Sequence, residues 1–174
     1  MNLLNKKHID LAWPDIIGKS VCDESKFILD YFKDKLERKE KGYAIDLGAA
    51  DGICHNNCFE LFNEPHNWNG ISVDANPRFF EQRDNLFTGT NVQVYKGAIS
   101  NVDGSVKFSQ DAINVGHSKV HKNGNVEVQS LTINNFLEKF KVPDSIDYVS
   151  LDVEGYEEDI LRSWDLDQWQ VEVF

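Results

Sequence analysis

The run AIDLGAADG, residues 44–52, ends an apolar stretch in Asp46 and then passes through Gly48, Ala50, Asp51 and Gly52. Glycine-bearing loops after a strand often hold nucleotides, but most hold phosphate and avoid carboxylates. A dinucleotide fingerprint counted from Gly48 needs glycine where this chain has Ala50 and Ile53. The Cβ of Ala50 would hinder close approach of a pyrophosphate, and Asp51 would repel it. A nicotinamide-dependent oxidoreductase is disfavoured on those grounds. Two carboxylates suit a ligand that carries positive charge beside the loop. The methionine end of S-adenosylmethionine, with its sulfonium and ammonium, is such a ligand, and charge-assisted hydrogen bonds are worth roughly 1.5–3 kcal/mol each. The plainer alternative is that Asp51 caps the next helix and the glycines only make a turn.

A second apolar run, GISVD, ends in Asp74, 22 residues beyond Gly52 (74 − 52). An acid at that distance can accept from both hydroxyls of a ribose, or it can cap the helix that Pro77 opens. A third group lies in VSLDVEGYEE, where Asp152 ends a strand and Glu154 and Gly155 follow. Either acid could take the proton of an attacking hydroxyl as general base. Together they could hold a hard cation such as Mg²⁺, although nothing fixes its ligands. Glu157 and Glu158 suit a first helical turn without any function. Cys54, His55 and Cys58 form C-H-x-x-C, but no second pair has zinc spacing, so they read as packing residues. His117, Ser118 and His121 read as an exposed loop, and Trp68, Phe79 and Phe80 as sheet packing.

These residues need a scaffold. Phe27, Ile28, Tyr31, Phe32 and Leu36 recur at helical spacing from Ser25 to Lys39, with Gly42 placed to close the helix. Short apolar runs predict strands at 43–47, 70–74, 92–99, 126–130 and 146–151, and QVEVF begins one more. Helices are expected at 55–63, from Pro77 to about Leu86, from a cap at Thr132, and from Glu154 to Trp164. Asp103-Gly104 between SNV and SVKF signals a hairpin. Strands alternating with helices predict a parallel, doubly wound α/β sheet with an inserted β-hairpin. Residues 1–41 read as an N-terminal helical extension and 42–174 as one domain.

The 174 residues are 41% hydrophobic and 27% charged, which suits one globular domain. A net charge of −11 disfavours nucleic acid as a partner. No apolar run approaches the roughly 18 residues of a membrane span, and three cysteines suit the reduced thiols of a cytoplasmic protein.

AIDLGAADG, ISVDANP and DYVSLDVEGYEEDIL, in that order, resemble the FkbM-type methyltransferases. The family pattern is an acid-x-Gly-Ala-Asn-x-Gly loop, a strand ending in an acid before Asn-Pro, and a late D-x-E-G-x-E. The resemblance implies the Rossmann-like methyltransferase sheet, S-adenosylmethionine as cofactor, and O-methylation of a hydroxyl on a sugar, glycan or natural product. It implies that Asp46, Gly48, Ala50, Asp51 and Gly52 hold the methionine portion and that Asp74 and Ala75 meet the ribose. Ala98 and Ile99 would lie near the adenine, and Asp152 and Glu154 would face the transferring methyl. Where the family often has T-L-D-D, this chain reads T-I-N-N, with Asn134 and Asn135. The full sheet has seven strands, and QVEVF reads as only the fifth, so the last two are expected to be missing. A catalytically inactive cofactor-binding module, or an assembly module completed by a partner at the exposed sheet edge, is the alternative.

Overall fold

The computed structural model describes residues 24–54, 56–110 and 118–174. Two helices come first, α1 (Glu24–Tyr31) and α2 (Lys33–Glu37). Ile28 and Phe32, one helical turn apart, bury against Trp68, whose ring meets Phe32 edge-on at 5.1 Å. Lys39, at φ 56°, turns the chain out of α2. Gly42 therefore does not close that helix. A Cβ there would press on the Trp68 indole, so the glycine makes room for a buried ring.

In chain order there follow β1 (Tyr43–Leu47), α3 (Phe59–Phe62), β2 (Asn69–Asp74), a 3-10 turn (Pro77–Phe79), α4 (Phe80–Phe87) and β3 (Val92–Lys96). Next come β4 (Ala98–Ile99), β5 (Gly104–Ser109), β6 (Lys119–Val120) and β7 (Val126–Leu131). Last are α5 (Ile133–Lys139), β8 (Ser145–Leu151), α6 (Glu157–Ser163) and β9 (Gln170–Val173).

Five of these strands form a parallel sheet in the order β3-β2-β1-β8-β9. Parallel strands are covered on both faces, which is why they read as unbroken apolar runs. Successive side chains point to opposite faces, so Ile45 and Leu47 join Ile133, Phe136 and Ile160 beneath α5 and α6. Ala44 joins Phe59, Phe62 and Leu86 on the face that α1, α3 and α4 cover. Strand order reverses between β1 and β8, and that is where an open parallel sheet leaves a crevice beyond its carboxyl ends.

The expected strand 92–99 breaks at Gly97. Its missing Cβ admits the Tyr95 ring and the Gln129 carbonyl, and its N–H donates to the Asp74 carbonyl at 3.1 Å. The second half, β4, leaves for a four-stranded sheet of order β4-β7-β5-β6. The hairpin read at Asp103-Gly104 is thereby corrected, because β7 lies between β4 and β5. The Asp103 carboxylate accepts from Thr132 N at 2.8 Å and from the Asn135 amide at 2.6 Å, so it caps α5 from outside the turn. The Thr132 hydroxyl is not the cap, since it donates to Asp103. Asn134 donates to the Ser163 carbonyl at 2.8 Å and accepts from the Asp165 N–H at 3.0 Å, so this one amide of T-I-N-N docks α5 on the end of α6. Helix α6 starts three residues later than expected, for reasons that belong to the site. Among the described residues, no helix is long and apolar enough to cross a membrane.

Candidate functional site

The Gly48–Gly52 loop leaves β1 at the reversal of strand order, with Leu47 paired to Leu151 of β8. Asp152 N donates to the Leu47 carbonyl at 2.9 Å. Gly48, at φ 96°, passes so close to Asp152 that a Cβ would run into its carbonyl oxygen. Gly52, at φ 83°, gives its side-chain space to Leu86 and Phe87 of α4. One glycine thus joins the β1 and β8 loops, and the other seats the loop on a helix.

Four of the loop's five amides are committed. Gly48 N and Ala49 N donate to the Val73 carbonyl at 3.0 and 2.9 Å, and Gly52 N donates to the Ala49 carbonyl at 2.8 Å. Ala50 N donates to Asp74 Oδ2 at 2.8 Å, which holds this non-glycine residue at φ 47°. Ile53 N and Cys54 N both donate to Asp51 Oδ1, at 2.9 and 2.8 Å. Phosphate cradles work by presenting free amides. This loop surrounds itself with carboxylates instead, and the Asp51 carboxylate closes a turn well before α3 begins.

Asp74 Oδ1 accepts from Asn76 N at 2.7 Å, leaving each carboxylate oxygen a further lone pair. Burial raises the Asp74 carboxyl above its ordinary range, while the Arg83 charge pulls it back. Asp46 is fully enclosed. Burial pushes its carboxyl up to about 7, against opposing hydrogen bonds from Ser150 and Asn56 and the Arg83 charge. Folded Asp46 therefore keeps a proton that the unfolded chain gives up near pH 3.8, and stability from this group falls as pH rises from there to about 7. At about 1.36 kcal/mol per pKa unit, the full penalty approaches about 4 kcal/mol above that window. Asp46→Asn is expected to flatten this fall, so that the ligand-free variant gains on wild type at pH 8 and not at pH 4. Urea unfolding at the two pH values checks it.

On the β8 side, Asp152 is exposed, and desolvation followed by the nearby Glu157 charge raises its carboxyl. Glu154 stands at φ 59° and Gly155 at φ 114°, two successive residues in a backbone region that side chains disfavour. Glu157 holds this turn together by accepting from Val153 N at 3.0 Å and Gly155 N at 2.9 Å. That turn is why α6 starts at Glu157 and not at Glu154. Glu158 pairs with Arg162 on the exposed face of α6.

The structure therefore brings Asp46, Gly48, Ala50, Asp51 and Asp74 around one loop, with Asp152 across Gly48. Ala75 packs with Ala98, Phe108 and Val128, while Ile99 is buried in the main core. Cys58 is buried with its thiol toward the Ile45 carbonyl, Cys54 is half-buried, and His55 lies outside the described residues. His117 also lies outside them. Ser118 is half-buried, His121 is exposed, and Phe79 and Phe80 are half-buried, unlike fully buried Trp68. No group of three or more metal-ligating side chains occurs among the described residues.

Two residues of the site are hidden in the sequence. Arg83 is fully buried and donates to the carbonyls of Ser72, Asp74 and Tyr95 at 3.0, 3.1 and 3.2 Å, tying together the carboxyl ends of β2 and β3. Asn56 is fully buried and donates to Asp46. An arginine between acids on a short helix looks solvated, and an asparagine among polar neighbours at the start of an expected helix looks exposed. The one signal in the chain is that each follows a strand-ending acid by nine or ten residues (83 − 74 and 56 − 46).

No curated protein and no solved structure matches the chain. Residues 46–174, about three quarters of it, match the Methyltransferase FkbM domain. The match opens on Asp46, takes in the loop, the second strand and the DVEGYEE turn, and runs through β9. With that coverage, the chain belongs to the FkbM methyltransferase domain family.

Proposed function

We propose that this chain is an S-adenosylmethionine-dependent methyltransferase with a Rossmann-like sheet, acting on a hydroxyl of a sugar, glycan or small natural product. The committed loop carries the reading. Four of its five amides are spent within the protein, and the side chains gathered around it are carboxylates. Such a loop favours a sulfonium and an ammonium over a pyrophosphate.

The donor set fits this cofactor. Asp74 has lone pairs left for the two ribose hydroxyls, and half-buried Ala75, packed against Ala98 of β4, supplies apolar surface on the adenine side, while buried Ile99 anchors β4 in the core. Ala50, Asp51 and Gly52 border the methionine end, with Gly48 holding the two loops together. S-adenosylmethionine, when bound, supplies a methyl group already activated by its sulfonium. The protein's work is then to align the attacking oxygen and exclude water, worth on the order of 7–11 kcal/mol when the geometry is right. Asp152 takes the hydroxyl proton as the new bond forms. Its raised carboxyl keeps it a stronger base than a free aspartate, and Glu154, held in a strained turn, borders the same place.

Calorimetry with S-adenosylmethionine and with NAD tests the cofactor, and labelled methyl transfer to a panel of sugars and small hydroxyl compounds tests the reaction. Binding of NAD in preference to the methyl donor would refute the proposal. Asp152→Asn is expected to slow turnover roughly 10²–10⁴-fold while donor affinity stays within about threefold, since the exposed carboxylate binds the proton and not the cofactor. Unchanged turnover removes Asp152 from the chemistry.

A further inference from the structure

We propose that Asn56 is a positioning residue for the methyl-donor loop, acting through Asp46 and the Ala49 carbonyl and not by touching the donor. This rests on the S-adenosylmethionine reading above. Asp46 is 2% exposed and Asn56 0%, so neither side chain reaches a ligand in the crevice directly. Whatever Asp46 does for the loop must pass through its neighbours.

Asn56 Nδ2 donates to Asp46 Oδ2 and lies 3.4 Å from the Ala49 carbonyl oxygen. Its Oδ1 accepts from Cys58 N at 3.0 Å. One amide group thereby joins the last acid of β1, the middle of the loop, and the segment that leads into α3. From the other side the same loop is held by the Val73 carbonyl and the Asp74 carboxylate. The two anchors grip opposite sides of the peptide that joins Ala49 to Ala50, and Ala50 stands at φ 47°, a conformation that persists only where its surroundings enforce it. A primary amide suits the position because it donates twice through nitrogen and accepts through oxygen. An aspartate there would set a second enclosed acid against Asp46, and an alanine would leave that carboxyl and the Cys58 N–H without their partner.

Releasing this clamp should disturb the part of the loop beside the methionine end and spare the ribose site at Asp74. The test is calorimetry on the full chain with S-adenosylmethionine and with 5′-methylthioadenosine, which keeps the nucleoside and lacks the charged end. Asn56→Ala is expected to weaken S-adenosylmethionine at least tenfold and methylthioadenosine less than threefold. The exchanged pair Asp46→Asn with Asn56→Asp restores one acid–amide hydrogen bond and is expected to recover most of the loss. Equal weakening of both ligands, or an unchanged Kd in a folded Asn56→Ala, overturns the clamp. Should Asn56→Ala not fold, Asn56→Ser keeps a donor and the same comparison of ligands decides. If the unaltered chain binds no S-adenosylmethionine, the donor reading falls and the clamp with it. Binding by the unaltered chain with no selective loss in the variants removes the clamp alone.

Discussion

Gly48→Ala is expected to destabilise the protein by about 2–6 kcal/mol and to remove measurable methyl-donor affinity. Two independent penalties meet at this residue. Its φ of 96° lies in the half of the backbone map that side chains avoid, at a cost of roughly 1–3 kcal/mol. The added Cβ also strikes the Asp152 carbonyl, a backbone atom that cannot rotate away, and overpacking of that kind costs typically about 1–3 kcal/mol more. Relief requires the β1 and β8 loops to part at the crevice, which breaks the Asp152–Leu47 hydrogen bond and opens the proposed donor site. Gly104 supplies the control. It has a φ of 115° with nothing within 4 Å of the point where a Cβ would stand, so Gly104→Ala carries the backbone cost without the collision. Urea midpoints of the two variants separate the terms. Equal losses would mean that the close approach of the loops contributes nothing.

Much of this site can be read from residue order because parallel strands announce themselves. YAIDL, GISVD and IDYVSL are apolar runs that end in or beside an acid, and each acid falls at a carboxyl end of the main sheet. The same rule fails where one run feeds two sheets. Nothing in VQVYKGAIS marks Gly97 as the place where the chain changes partner, since that depends on Tyr95 and Gln129 filling the space of its side chain. Asp103-Gly104 carries a hairpin signal whose strands are kept apart by β7, which arrives more than twenty residues later. Local turn chemistry is outweighed by a long-range pairing.

Helix starts mislead for a related reason. Glu154 has the look of a first-turn acid, but the left-handed pair Glu154–Gly155 forms a turn that Glu157 caps, and the helix waits for it. Enclosed polar residues are the hardest to see. Asn56 and Arg83 have the composition of surface residues, and only the fold shows that each meets backbone or carboxylate groups that would otherwise lie buried without partners.

Arg83→Met should be the most damaging change to the scaffold of the site, lowering stability by about 3–5 kcal/mol and more at pH 8 than at pH 5. Among the described residues Arg83 is the one buried cation, and the substitution leaves the carbonyls of Ser72, Asp74 and Tyr95 without their donor. The pH dependence follows from the two acids it faces. The Arg83 charge lowers both the Asp46 and the Asp74 carboxyls, against the burial that raises them. Without it both rise further in the folded state, the gap to the unfolded values widens, and the range over which stability falls with pH extends upward. At pH 5, below the value of about 7 to which Asp46 is pushed, wild type and variant both keep that carboxyl protonated when folded, so the added penalty is small. At pH 8 the variant carries more of it. Arg83→Lys keeps the charge while supplying fewer donors, and is expected to restore the shape of the pH profile more fully than the stability itself. Urea unfolding of the three proteins at both pH values decides the matter. A deficit that does not grow with pH would show that Arg83 acts by its hydrogen bonds alone, and that the acids at the ends of β1 and β2 are not held in check by its charge.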